Sequence, residues 1–233
     1  MHTKMILRTI ENKAIIYGNQ ANLTVYHKHC YVHSSQRKDY HKRSDTEKRD
    51  DSLVRTRIVL YRLIRSNINQ FGKIPPIFVT LTYAHNETNL RKANSDFRLF
   101  IKKLRYETKQ NLRYVCIPEF QKRGAVHYHI MFFNLPFVTL TKFNDIWGWG
   151  YTSIESTKKV RNICAYMAKY LSKDILNETL KGHRILMTSK NLIRPIELEN
   201  QLHTFLDTYD ILKTEYIENS LTKTQKQVKI RKI

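Results

Sequence analysis

Two histidines, His127 and His129, stand one residue apart in the segment AVHYHIMFF, which is predicted to be a strand. Side chains alternate between the two faces of a sheet, so both imidazoles point to the same side. Two imidazoles in this arrangement can ligate one divalent cation. A hard cation that also meets phosphate oxygens favours an added carboxylate. The nearest one in the sequence is Glu119, which completes a candidate metal site.

The loop that follows Glu119 decides whether its carboxylate reaches the histidines. The segment RYVCIPEF is predicted to be a second strand, and QKRG joins it to the histidine strand. A three-residue loop at 122–124 would place its glycine in the left-handed position that such loops favour. With this loop, Gln121 faces Ala125 and Glu119 faces His127. A loop one residue shorter or longer would turn Glu119 to the other face, and the histidines would then be ordinary half-buried sheet residues.

The segment AYMAKYLSK contains Tyr-x-x-Lys twice, as Tyr166 with Lys169 and Tyr170 with Lys173. On a helix the two tyrosines lie one turn apart on one face, and the two lysines form a second row beside them. A tyrosine hydroxyl is a weak nucleophile at neutral pH, but a metal and a nearby cation enable it to attack phosphorus. The product would be a phosphotyrosine bond, and a second tyrosine would allow a second strand transfer. The alternative is an amphipathic helix with aromatic anchors and snorkelling lysines.

The remaining pattern mixes strands and helices, which predicts an α+β fold with a mainly antiparallel sheet. A strand is predicted at 77–83 (IFVTLTY), and another at RILMTSKNLI. Helices are predicted from residue 53, capped by Asp51 or Ser52, and over 95–107, capped by Asn94 or Ser95. NDIWGWGY is predicted to be a loop.

The two ends of the chain differ from this central part. Residues 34–52 are highly charged and predict a surface loop or an exposed helix start. Apolar residues spaced by threes and fours predict a helix over 196–218. The basic tail 219–233 is predicted to have no stable structure. The predicted organisation is therefore a charged N-terminal region at 1–52, a central domain at 53–195, the C-terminal helix and the tail.

Composition favours a polyanionic partner, since 41 Lys and Arg against 20 Asp and Glu give a net charge of +21. The three cysteines have no CxxC spacing, which favours a reducing compartment. The N-terminus lacks a signal-peptide pattern, and no apolar run is long enough to span a membrane. We therefore expect a soluble cytoplasmic protein. No phosphate-binding G-x-x-x-x-G-K-[ST] motif is present, so we expect no ATP-driven motor.

Three motifs in order resemble those of the HUH endonucleases. HYH is similar to their His-hydrophobic-His motif, FVTLTY to their first motif, and AYMAKYLSK to their Tyr-x-x-Lys motif in its two-tyrosine form. WGWG and RILMTSKNLIRP also resemble flanking segments. The two-tyrosine form is similar to the rolling-circle replication initiators of single-stranded DNA phages and related plasmids. The resemblance covers residues 53–195.

The resemblance implies a ferredoxin-like domain that nicks single-stranded origin DNA in a bacterial host cell, retains the 5′ phosphate on tyrosine and leaves a 3′ hydroxyl. Host helicase and DNA polymerase would be its partners, and Mg²⁺ or Mn²⁺ its cofactor. The implied metal ligands are His127, His129 and Glu119, the nucleophiles are Tyr166 and Tyr170, and the phosphate-steadying cations are Lys169 and Lys173. Alternatives are an HUH relaxase or single-strand transposase, which usually has one tyrosine, and a non-catalytic DNA-binding repressor.

Four further residues are candidates for DNA binding. Trp149 and Tyr151 could stack on single-stranded bases, and Lys122 and Arg123 could meet phosphates. Trp147 is predicted to belong to the core. The segment HKHCYVH at 27–33 permits a zinc site, but it lacks the paired spacing of a structural site and favours an ordinary exposed strand.

Overall fold

The computed structural model describes residues 7–33, 45–71, 74–171, 184–219 and 223–233. Within these residues the chain is α+β, with five helices and two antiparallel five-stranded sheets. This class agrees with the prediction and is consistent with a ferredoxin-like fold without being specific to it. No helix in the described ranges is long and apolar enough to cross a membrane.

The described elements follow one another along the chain as ten strands and five helices. In order they are β1 (Leu7–Tyr17), β2 (Gln20–His33), α1 (Asp45–Asn67), β3 (Ile77–Tyr83), α2 (Leu90–Thr108), β4 (Tyr114–Phe120), β5 (Val126–Phe132), α3 (Leu140–Trp147), β6 (Gly150–Ser156), α4 (Ile163–Ala168), β7 (Met187–Thr188), β8 (Ile196–Glu199), α5 (Leu202–Thr208), β9 (Tyr209–Asn219) and β10 (Lys223–Lys232). They divide into two compact units, one spanning Arg49–Ile193 and the other combining Met1–Lys48 with Arg194–Ile233.

The central unit is built on a sheet with the strand order β6-β3-β5-β4-β7. The predicted strands at β3, β4 and β5 are confirmed, and the histidine strand β5 occupies the middle position. The predicted late strand is reduced to the two residues of β7, which pair with β4 through Met187 and Thr188.

One face of this sheet is covered by α2 and α3. Tyr128 is fully buried and stacks on Phe97 of α2, with ring centroids 4.8 Å apart, while its hydroxyl donates to Asn94. Because strand side chains alternate, burial of Tyr128 on this side leaves His127 and His129 on the other. The helices therefore fix which face is free for chemistry.

Three helix predictions need correction. Helix α2 begins at Leu90, because the Asn89 side chain accepts hydrogen bonds from two backbone N–H groups and caps the helix one turn earlier than predicted. Helix α1 begins at Asp45 instead of near residue 52. The predicted loop NDIWGWGY is also wrong, since its first half completes α3, where Phe143 and Trp147 are buried, and its second half starts β6.

The second unit contains the sheet β8-β1-β2-β10-β9 and the short helix α5. The predicted helix over 196–218 is wrong, because only Leu202–Thr208 is helical and a strand follows. The predicted unstructured tail is wrong for the described residues of β10, which pair with both β2 and β9. Val228 and Ile230 alternate along β10 and are buried, which stabilises it as a strand.

Two other segments complete the comparison. The histidine-rich segment 27–33 lies in β2, which confirms the predicted strand, while its side chains fall outside the described structure. In the charged segment 34–52, residues 34–44 are not among the described residues, and the remainder belongs to α1.

Candidate active site

The β4–β5 hairpin has the predicted register. Glu119 pairs with His127, and the Gln121 N–H donates to the Ala125 carbonyl over 2.9 Å. Gly124 has a φ of +87°, a conformation that L side chains rarely adopt. The glycine-containing loop thus places the carboxylate beside the histidines, as predicted.

Directly paired residues of neighbouring strands point to the same face, so the pairing defines which side chains surround the histidines. From the hairpin end inward, the rows across β6, β3, β5 and β4 are Tyr151, Thr82, His127 and Glu119; Ser153, Thr80, His129 and Ile117; and Glu155, Phe78, Met131 and Val115. We call this set of side chains the histidine face.

His129 is fixed by contacts at both ring nitrogens. Its Nε2 lies 2.5 Å from Glu119 Oε2, and its Nδ1 lies 3.3 Å from Thr80 Oγ1. The hydrogen bond from His129 lowers the pKa of Glu119, burial opposes this shift, and the charges of the histidines and Lys169 reinforce it. Glu119 is therefore an anionic acceptor at neutral pH.

His127 is buried, with 9% of its surface exposed, and its Nε2 has no hydrogen-bond partner among the described residues. Burial and the neighbouring His129 lower its pKa to about 4. The imidazole is consequently neutral at neutral pH, and a neutral imidazole nitrogen can act as a ligand.

The tyrosine motif packs against the histidine face. Helix α4 is shorter than predicted: it is capped by Asn162, ends at Ala168 and carries Tyr166, while Tyr170 lies in the following turn. The Tyr170 ring stacks on His129 with centroids 3.7 Å apart and on Phe78 at 5.4 Å. The structure therefore brings the histidine and tyrosine motifs together.

Tyr166 occupies a different environment from Tyr170. Its ring meets Phe78 edge-on at 4.9 Å, and its hydroxyl donates to Glu155 Oε2 over 2.8 Å. Burial, this hydrogen bond and the adjacent Tyr170 raise the pKa of Tyr166 well above its ordinary value. The hydroxyl is therefore protonated at neutral pH and needs a proton acceptor when it reacts.

Lys169 supplies the cation that the motif predicts. Its Nζ lies 3.9 Å from the Tyr166 ring centroid and 4.7 Å from that of Tyr170. Aromatic faces attract cations, so both rings hold the ammonium group between the two hydroxyl-bearing side chains. The second predicted cation, Lys173, lies outside the described residues.

The two imidazoles and Glu119 were predicted to hold a metal ion. In the part of the chain that the structure describes, no three His, Cys, Asp or Glu side chains are grouped so that they could hold one. The unpartnered His127 Nε2 and the His129–Glu119 pair nevertheless leave nitrogen and oxygen donors on one face. These donors fit a cation such as Mg²⁺ or Mn²⁺ if ligation replaces the hydrogen bond.

The four candidate DNA-binding residues are dispersed. Tyr151 is 71% exposed and belongs to the histidine face. Trp149 is half-buried against Trp147, which is buried as predicted. Lys122 is exposed in the hairpin loop, and the Arg123 guanidinium donates to the Tyr83 carbonyl. Tyr151 is thus the aromatic best exposed for a base near the histidines.

Sequence reasoning missed Glu155 and Phe78 as members of this site. Phe78 stacks near both tyrosines and His129, and Glu155 pairs with Phe78 across the β3–β6 ladder. Pairing of a predicted strand with the following Gly-Tyr-Thr segment would have indicated Glu155, but that segment was assigned to a loop.

Comparison with known proteins gives one match. Residues 76–175 match a family of replication-associated proteins of the ORF2 type, a stretch that is less than half of the chain and contains both motifs. No curated protein matches the chain. No solved structure matches it. The family match supports a role in DNA replication, with DNA as the partner.

Proposed function

We propose that this chain is an HUH-type nickase that initiates rolling-circle replication. A tyrosine of the AYMAKYLSK segment attacks a phosphodiester of single-stranded origin DNA. The reaction forms a 5′-phosphotyrosine bond and releases a 3′ hydroxyl that a host polymerase can extend. The match to a replication-associated family supports the replication role, and the geometry of the histidine face supports the chemistry.

The observation that carries the proposal is the 3.7 Å stacking of Tyr170 on His129. The two motifs are well separated in the sequence, and a merely amphipathic helix would have no reason to place its tyrosines there. A repressor would need the basic surface but not two tyrosines beside buried imidazoles. Proximity of nucleophile and electrophilic centre is a main source of rate enhancement.

The cation in this proposal is Mg²⁺ or Mn²⁺, held by His127, His129 and Glu119. When bound, it would draw charge from the phosphate oxygens and make the phosphorus more electrophilic. The neutral His127 and the anionic Glu119 are both in the protonation states that ligation needs.

The chain's own residues would position the DNA and stabilise the charge that develops. Lys169, held over both tyrosine rings, places a positive charge where the attacked phosphate must lie. Tyr151, on the same face and largely exposed, offers a ring for base stacking. The net charge of +21 supplies sequence-independent attraction to the DNA backbone.

The energy of the broken phosphodiester is conserved in the phosphotyrosine bond, so rejoining needs no nucleotide cofactor. The second tyrosine can accept a second strand while the first remains linked. Because the sequence lacks an ATP-binding loop, strand separation is assigned to a host helicase.

The test is adduct formation with single-stranded DNA that covers the replication origin of the element encoding the chain. Protein, labelled DNA and Mn²⁺ are incubated and separated on a denaturing gel. We expect a covalent protein–DNA band that disappears in the Tyr166→Phe, Tyr170→Phe double variant. Tyr106→Phe is a matched control, since Tyr106 is 75% exposed on α2 and outside the site. Tight binding without any adduct would refute the nickase and favour the repressor.

A further inference from the structure

The two tyrosines differ most clearly in what their hydroxyls contact. Tyr166 donates its hydroxyl proton to Glu155 Oε2 over 2.8 Å, and Ser153 Oγ lies 3.5 Å from the other carboxylate oxygen. Glu155 projects from the edge strand β6 onto the histidine face. Within the described residues, no carboxylate is hydrogen-bonded to the Tyr170 hydroxyl, whose ring lies on His129 instead. A negatively charged acceptor is therefore built next to one nucleophile and not the other.

Packing alone does not require this contact. The Tyr166 ring is held edge-on by Phe78 at 4.9 Å and by Lys169 at 3.9 Å. Glu155 is exposed, and hydrogen bonds at exposed positions contribute little to stability because water can replace them. The Glu155 carboxylate is thus available for a role in the reaction of the hydroxyl that it touches.

We propose that Glu155 is the catalytic proton acceptor for Tyr166, an inference that rests on the proposed nickase function. As the Tyr166 Oη–phosphorus bond forms, the hydroxyl proton passes to Glu155, and the bond between phosphorus and O3′ breaks. The departing O3′ takes a proton from solvent and becomes the 3′ hydroxyl, while Glu155 later returns its proton to solvent. In rejoining, protonated Glu155 gives a proton back to the departing tyrosine oxygen.

The experiment measures the adduct formation rate in variants that retain one nucleophile each. In the Tyr170→Phe background, where only Tyr166 can react, adding Glu155→Gln should slow the reaction about 100-fold, in the range of general-base effects. In the Tyr166→Phe background, where only Tyr170 can react, the same substitution should change the rate by less than about threefold, because the lost base serves the other residue. Gln preserves the size of Glu and its ability to hydrogen-bond to the hydroxyl.

The control is Glu107→Gln, which removes a carboxylate from α2 that forms an ion pair with Lys142. It should leave both single-tyrosine rates unchanged. Equal slowing by Glu155→Gln in both backgrounds would overturn the proposal and show a general effect on the site. Unchanged rates in both backgrounds would also overturn it. In contrast, failure of the wild-type chain to form any adduct would refute the nickase function itself.

Discussion

Replacement of Gly150 by alanine provides a direct test of the β3–β6 ladder that places Glu155 in the site. A Cβ at this position would lie 2.3 Å from the Thr82 carbonyl oxygen, 2.4 Å from the Ala84 nitrogen and 2.8 Å from the Tyr83 carbonyl carbon. All three atoms belong to the backbone of β3 or the residue after it, so no side-chain rotation relieves the clash. To reach van der Waals contact, β6 would have to move by about 1 Å.

The expected cost follows from this displacement. Overpacking in a well-packed region costs about 1–3 kcal/mol, and loss of the hydrogen bond from the Ala84 N–H to the Trp149 carbonyl adds about 1 kcal/mol. We therefore expect Gly150→Ala to lower the free energy of unfolding by about 3 kcal/mol. Urea denaturation followed by tryptophan fluorescence measures this change, because Trp147 and Trp149 lie beside the ladder.

Gly148→Ala is the matched control. Gly148 has a φ of +74°, and an added Cβ would meet its nearest heavy atom, the Asp145 carbonyl oxygen, at 3.6 Å. The control should therefore cost only the left-handed conformation, about 1–2 kcal/mol. If Gly150→Ala destabilised the protein no more than Gly148→Ala, β6 would not lie against β3 as described. The position of Glu155 beside Tyr166 would then also be wrong.

Three further predictions concern the site. Substitution of His127 or His129 by alanine, or addition of a chelator, should abolish adduct formation while DNA affinity in fluorescence anisotropy stays within a few-fold, because affinity comes from distributed Lys and Arg contacts; full activity in chelator would contradict the metal assignment. Tyr166→Phe and Tyr170→Phe should each still form an adduct through the remaining tyrosine but fail in repeated rounds of cutting and rejoining; peptide mapping that finds only one linked tyrosine in the wild-type chain would exclude alternation. In chelator, lowering the pH from 7 to 5 should destabilise the fold by about 2 kcal/mol, because unfolded His127 takes up a proton below its ordinary pKa of 6.5 while the folded residue, with a pKa of about 4, does not. His127→Gln should remove most of this pH dependence of the urea midpoint, and an unchanged dependence would show that another group is responsible.

The parts of the site that local rules govern could be predicted from the sequence. The loop glycine, Gly124, specified the hairpin, and the hairpin specified that Glu119 faces His127. The alternation of side chains along β5 placed both histidines on one face. These features depend on residues that are close together in the sequence, so turn chemistry and strand period are sufficient to derive them.

The parts that depend on distant partners could not be predicted. Glu155 reaches the site only because β6 pairs with β3, which aligns it with Phe78. Apolar residues at 202, 205, 209, 212 and 216 satisfy a helical spacing, yet most of them follow the short α5 and lie in β9. Pairing with β10 outweighs the local preference there, since a strand gains hydrogen bonds and burial that a single-sequence pattern does not reveal.

The discontinuous unit has a consequence for how the chain folds as it leaves the ribosome. Strand β2 pairs with β1 at once, but its other neighbour is β10, and the contacting residues Thr24 and Gln225 are 201 positions apart. The whole unit Arg49–Ile193 is synthesised in between. Collapse of that unit shortens the effective loop that must close and so reduces its entropic cost. Until translation reaches β10, the free edge of β2 remains open to pairing with another chain, so the interval before β10 emerges is the stage at which the chain is most vulnerable to misassembly.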